Sequence, residues 1–224
     1  MLYIDCFSGV SGDMLIGALI DLGADVSAIK KILLDINGVE SVRASKINKG
    51  GITASKFTSS YTPDSLRLDD LIGHVDDLKI SQDAKELSRN ILKTLGVAES
   101  KVHNVNLNEV HLHDAVDCIV DAVAVSLALE DLNLINEKIC SSEVSCGFIA
   151  PATRSIIDDH GIHVRIKSEK EITTPTGVAI LANITDKFED ETKFRQHKKK
   201  FSGRTGYGAG DMDLSHPNVL KMVM

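Results

Sequence analysis

Tryptophan is absent from this 224-residue chain and aromatic residues make up only 4% of it. Any core must therefore be packed mostly by aliphatic side chains. The four cysteines, Cys6, Cys118, Cys140 and Cys146, show no CxxC spacing. Their low density excludes a disulfide framework and fits thiols used mainly for packing in a reducing compartment. No stretch approaches the ~18 consecutive apolar residues of a membrane span. The opening residues, Met1-Leu2-Tyr3-Ile4-Asp5, carry neither a basic region nor a long apolar run, so no signal peptide is expected. Positive charge is also scarce, with a formal net charge of −7. That balance speaks against a nucleic-acid partner, because phosphate binding needs a concentrated positive field. The one basic run, Lys193 to Arg204, reads as a solvated strand end or loop. The expectation is a cytoplasmic protein with no membrane and no nucleic-acid partner; a homo-oligomer is left open.

What remains is an ordinary globular composition, 43% hydrophobic and 25% charged, long enough for one large domain or two small ones. Leu2 to Cys6 reads as a buried strand leading into the turn Phe7-Ser8-Gly9-Val10-Ser11-Gly12-Asp13 and a helix from Met14 to Ile20. A second helix opens at Asp25 or Ser27 and runs through Leu34. Gly38 to Tyr61 is rich in β-branched and alternating residues, split by Asn48-Lys49-Gly50-Gly51, which predicts a hairpin. Leu68 to Val75 and Ser81 to Leu95 predict two helices, the second capped by Ser81 and stopped by Gly96. Ala115 to Leu132 predicts a long helix too apolar for a surface position. Ile139 to Ser145 and Ile162 to Ile166 read as strands around a short helix from Pro151. Thr174 and Pro175 start a helix that runs through Ile184. Gly206 to Gly210 reads as a flexible turn, and Val219 to Val223 as a last strand. The fold class expected is α/β or α+β: a mixed sheet packed by helices, with a β-hairpin insertion.

The densest chemistry lies between Glu109 and Asp121. In an extended backbone Glu109, His111 and His113 share one face, with Val110 and Leu112 on the other. A carboxylate and two imidazoles suit Ni, Zn, Fe or Cu. If a helix begins near Asp114, then Asp114, Asp117 and Asp121 fall within a ~60° arc, bordered by Cys118. Carboxylates on so apolar a helix are costly to bury unless paired or metal-bound. The plainer alternatives are a pair of partly exposed histidines and an ordinary solvated helix face. Two other segments favour anions. The turn with Ser8, Gly9, Ser11 and Gly12 exposes backbone N–H groups at a helix start, flanked by Asp5 and Asp13, which could instead hold Mg²⁺. It lacks the Gly-Lys-Ser/Thr ending of a P-loop. Thr173-Thr174-Pro175-Thr176-Gly177 offers hydroxyls and free amides at another helix start, although a plain helix cap also explains it.

Taken in order, these segments resemble the LarC-type nickel insertion proteins, the nickel chelatases of pyridinium-3,5-bisthiocarboxylic acid mononucleotide. Tyr3 to Met14 is similar to that family's opening signature. Glu109-Val110-His111-Leu112-His113, with Asp117 and Asp121 downstream, is similar to its metal-region signature. Thr173 to Gly177 matches its Thr-Pro-Thr-Gly element, and Gly206 to Gly210 with Pro217-Asn218-Val219-Leu220 matches a later one. The resemblance implies nickel insertion into the pyridinium mononucleotide, forming one nickel–carbon and two nickel–sulfur bonds with CTP consumed. The product would be the nickel-pincer cofactor of lactate racemase-type enzymes. It implies a metal set drawn from His111, His113, Glu109, Asp117 and Asp121, with Asp114 in support. It also implies a cofactor-binding set of Ser8, Gly9, Ser11, Gly12, Asp13, Thr174, Thr176 and Gly177. Residues 1–224 correspond to the family's N-terminal domain. Its C-terminal domain, linked to CTP use with Mg²⁺ or Mn²⁺, is absent from this chain: either that domain is a separate polypeptide, a possible C-terminal subunit partner, or this protein does not perform the complete reaction. The pair of residues that normally follows the His-Glu/Asp position is missing after Asp114, and the loop before Pro151-Ala152-Thr153 is short. Two rival functions stay open, a metal-free scaffold for cofactor assembly and a metal-dependent phosphohydrolase built on Asp5, Asp13 and the histidines.

Overall fold

The computed structural model describes residues 1–63, 65–190 and 203–224. Most of the basic run from Lys193 lies outside the described residues; only Gly203 and Arg204 of it are described. The strands are β1 (Leu2–Asp5), β2 (Val39–Lys49), β3 (Ile52–Tyr61), β4 (Ser65–Arg67), β5 (His111–His113), β6 (Ile139–Ser142), β7 (Val144–Cys146), β8 (Val164–Ile166), β9 (Lys187–Glu189), β10 (Thr205–Ala209) and β11 (Val219–Val223). The helices are α1 (Gly12–Leu22), α2 (Val26–Leu33), α3 (Leu68–Asp77), α4 (Gln82–His103), α5 (Ala115–Asp131), α6 (Pro151–His160) and α7 (Pro175–Ile184).

Seven strands form one mixed sheet in the order β2-β3-β10-β11-β1-β6-β9, and two small ribbons pair β4 with β5 and β7 with β8. The expected mixed sheet packed by helices is thus present. The hairpin is built into the sheet, because β3 pairs in parallel with β10. Helix α5 is buried along nearly its whole length, as its predominantly apolar sequence requires. It packs against α4, where the buried Ser88 hydroxyl meets the Ser126 hydroxyl at 3.0 Å.

Three expectations are corrected. Gly96 does not stop its helix: α4 continues to His103 and ends at Asn104, which takes the left-handed conformation. Tertiary packing overrides the weak helix propensity of glycine here, since a Cβ on Gly96 would stand 2.5 Å from a Leu68 methyl. Ile139 to Ser145 is not one strand; the chain leaves the main sheet after Ser142, and Val144–Cys146 pairs with Val164–Ile166 instead. Gly206 to Gly210 is not a flexible turn but carries strand β10. A Cβ on Gly208 would lie 1.8 Å from the Met14 carbonyl oxygen, so the glycines let α1 lie directly on the sheet. Asp21 of α1 fixes that contact by accepting the Tyr207 N–H at 2.7 Å and the Ser55 hydroxyl at 3.2 Å.

Candidate functional site

Three helix starts meet around one cleft of about 350 Å³. Strand β1 delivers the chain to the Ser11-Gly12-Asp13 start of α1. Val10 then pairs with Thr173 in an isolated bridge, which sets the Thr174–Pro175 start of α7 alongside. Thr174 caps α7 by accepting the Gly177 N–H at 3.2 Å, satisfying an otherwise unpaired helix-end donor. The first two turns of α5 supply Asp117 and Asp121. Ser11, Gly12, Asp13, Thr174, Thr176, Asp117 and Asp121 all line the cleft, joined by Lys56, Phe57, Thr58, Ser59 and Tyr61 from β3 and by Asp211.

Charge within the cleft is unbalanced. Among the described lining residues one ammonium, Lys56, faces four carboxylates, Asp13, Asp117, Asp121 and Asp211. Lys56 is buried and donates to Asp13 and, at 2.9 Å, to Asp211. Burial alone would lower its pKa, but Asp13 and Asp211 outweigh burial and raise it. The Ser11 hydroxyl also donates to Asp13. Asp117 is pushed up to about 6, first by burial and then by the charges of Asp13 and Asp114, although a hydrogen bond from Tyr61 works the other way. Burial raises Tyr61 to about 12, helped by Asp117 and Asp114. Asp121 is raised well above the usual carboxylate range by burial and by Asp117 and Asp13. Only 6% of Asp121 is exposed, and it makes no hydrogen bond or ion pair among the described residues. Its carboxylate presses against the bare Cα of Gly12, where an added Cβ would stand 1.8 Å from an oxygen.

The metal set nominated from sequence is divided by this geometry. His111 and His113 sit on β5, both exposed, with Leu112 between them buried. Their strand pairs with β4, where Arg67 lies opposite His111 and Ser65 opposite His113. Glu109 does not extend that strand. It belongs to a 3₁₀ turn, and its carboxylate accepts from the Asn106 side chain at 2.9 Å and the Asn106 N–H at 3.2 Å. Asp114 is exposed and adopts the left-handed conformation (φ 51°), turning the chain from the ribbon into α5. Among the described residues, no group of three or more His, Cys, Asp or Glu side chains is already gathered for a metal.

The cofactor-binding set is divided too. Ser8 is buried and its hydroxyl donates to the Pro217 carbonyl at 2.8 Å. Gly9 and Gly177 pack against the backbone of Ile172 and Val10, and these three residues do not line the cleft. All four cysteines are free and buried. Burial pushes Cys6 up to about 12 and raises Cys118 further, so neither is a ready thiolate. Sequence reading missed Lys56, Tyr61 and Asp211. The available signal for Lys56 was a single charge inside the otherwise uncharged run Ile52 to Tyr61.

Comparison with known proteins agrees with this arrangement of signatures. Residues 2–224 match the family described as nickel insertion protein. The chain belongs to that family. Curated relatives named pyridinium-3,5-bisthiocarboxylic acid mononucleotide nickel insertion protein include one from Alkaliphilus metalliredigens, 35% identical over 98% of this chain and 59% of its own length. Another, from Desulfitobacterium hafniense, is 33% identical over 99% of this chain and 57% of its own. A third, from a Thermotoga species, is 32% identical over 99% of this chain and 60% of its own. The chain of this nickel insertion family member therefore spans about three fifths of the length of these relatives. No solved structure matches it. None of the described helices is long and apolar enough to cross a membrane.

Proposed function

We propose that this chain handles nickel for insertion into pyridinium-3,5-bisthiocarboxylic acid mononucleotide, the substrate named for its relatives. The observation that carries the proposal is the meeting of the α1 and α7 starts with two carboxylates, the half-buried Asp117 and the buried Asp121, in one cleft. Helix starts suit the phosphate of a mononucleotide. Carboxylates that burial has left short of positive charge suit a divalent cation. His111 and His113, exposed on their ribbon, are the nickel-acquiring pair, because imidazole binds nickel well. Asp117 and Asp121 then hold the metal beside the mononucleotide, and Glu109 supports the turn before the histidines. Thiocarboxylate sulfurs are softer ligands than carboxylate oxygens, which gives the transfer its direction. CTP with Mg²⁺ or Mn²⁺ belongs to the same proposal.

The test is nickel transfer. Nickel-loaded protein is mixed with the mononucleotide, with and without CTP and Mg²⁺, and the nickel adduct is read by mass spectrometry. Adduct formation supports the reading. Nickel that stays on the protein rejects the transfer, and a chain with no nickel affinity tighter than about millimolar rejects the reading in favour of a metal-free scaffold.

A further inference from the structure

Lys56 stands where an arriving cation would have to go. Its ammonium is buried at the inner wall of the cleft and takes up Asp13, while Asp121, nine-tenths buried and aimed into the same space, is left without a hydrogen bond or ion pair among the described residues. The second partner of Lys56 differs from the first. Asp211 has an 84% exposed side chain, whereas Asp13 is only 24% exposed. An ammonium can therefore give up Asp13 and remain paired with Asp211 on the solvent side, without being stranded as an unpaired buried charge.

We infer that Lys56 is an internal counter-ion that exchanges with the bound metal, leaving Asp13 as the divalent cation arrives and returning as it departs. The inference rests on the nickel reading of the cleft. The step is an ion exchange with no bond chemistry: the Lys56–Asp13 pair opens, the cation takes Asp13 with Asp117 and Asp121, and the ammonium stays on Asp211. Departure reverses it. A protein that must surrender its metal gains from such an arrangement, since the returning ammonium restores the charge that the metal leaves behind and the empty site is not an uncompensated acidic pocket.

Two measurements test this with Ni²⁺ alone as the probe. Calorimetric titration of Lys56→Met, which keeps an unbranched stem of similar size and removes the charge, is expected to show affinity roughly tenfold or more tighter than the unsubstituted chain. Unchanged or weaker affinity overturns the inference. The second measurement needs no substitution. Acylation of Lys56 by an amine-reactive ester, followed by mass spectrometry, is expected to rise several-fold when Ni²⁺ saturates the protein. Labelling that stays constant or falls overturns the exchange, and it decides the matter alone if Lys56→Met fails to fold. A chain that transfers nickel to the mononucleotide while Lys56 stays unreactive overturns the exchange and leaves the nickel reading standing.

Discussion

The β4–β5 ribbon and the cleft receive their chemistry from one short stretch of sequence, yet they place it in opposite environments. On the ribbon, His111 and His113 are exposed and the intervening Leu112 is buried, so the imidazoles are open to solvent and cost the fold little. In the cleft, Asp117 and Asp121 are largely withdrawn from water and raised in pKa by burial and by each other's neighbours. The boundary between the two is a single residue, Asp114, whose left-handed backbone redirects the chain. Adjacency in sequence is therefore a poor guide to a shared ligand shell here. Burial identifies the carboxylates as the more demanding half, above all Asp121, which has no hydrogen bond or ion pair among the described residues, because an unpaired buried charge is a cost that only a ligand or a proton removes.

The comparison can be broken most forcefully at the carboxylates. Asp117→Asn with Asp121→Asn is expected to lower nickel affinity about a hundredfold while stabilising the metal-free protein by roughly 1–3 kcal/mol; calorimetry and urea unfolding read the two effects. Next in size is Gly12→Ala, whose Cβ would collide with the Asp121 carboxylate. It should cost about 1–3 kcal/mol and displace Asp121, weakening nickel binding in the same variant. His111→Ala with His113→Ala should reduce nickel affinity by about tenfold, slow its uptake, and leave unfolding within ~0.5 kcal/mol of the parent because both positions are exposed.

The pH dependence sharpens the same contrast. Asp117 in the folded state is raised to about 6 from an ordinary 3.8, so the folded chain binds the extra proton between those values. Its contribution to stability is fully present below about pH 4 and is lost as pH rises through about 6. Denaturant melts of Asp117→Asn should lack this decline, whereas melts of the histidine variant should keep it. Nickel binding near pH 6 should also release protons, seen as a buffer-dependent heat. The smallest effect expected is from Thr174→Val, which removes the cap of α7 and should cost about 1 kcal/mol with a slight loss of substrate phosphate affinity.

Local rules explain how much of this was legible in the sequence. The hairpin at Asn48 to Gly51, the capped start at Thr174–Pro175 and the apolar helix α5 each follow from a few neighbouring residues. The errors arose where a distant partner decided the outcome. Gly96 reads as a stop until Leu68 is seen filling the space beside it, and the glycines of β10 read as a turn until α1 is laid across them. At the site, Ser11, Asp13, Thr174 and Thr176 were found separately as two helix starts. That they form one cleft depends on the Val10–Thr173 bridge, a pairing no local pattern encodes. Lys56 and Asp211 reach the same place from β3 and from the segment after β10, so they were invisible for the same reason.

The most direct test is where nickel binds. A crystal of this chain soaked in Ni²⁺ and measured at the nickel absorption edge is expected to show an anomalous peak between Asp117 and Asp121, about 2.1 Å from their oxygens, with Lys56 withdrawn from Asp13. A peak at His111 and His113 alone, with the cleft still closed by the Lys56–Asp13 pair, would contradict it.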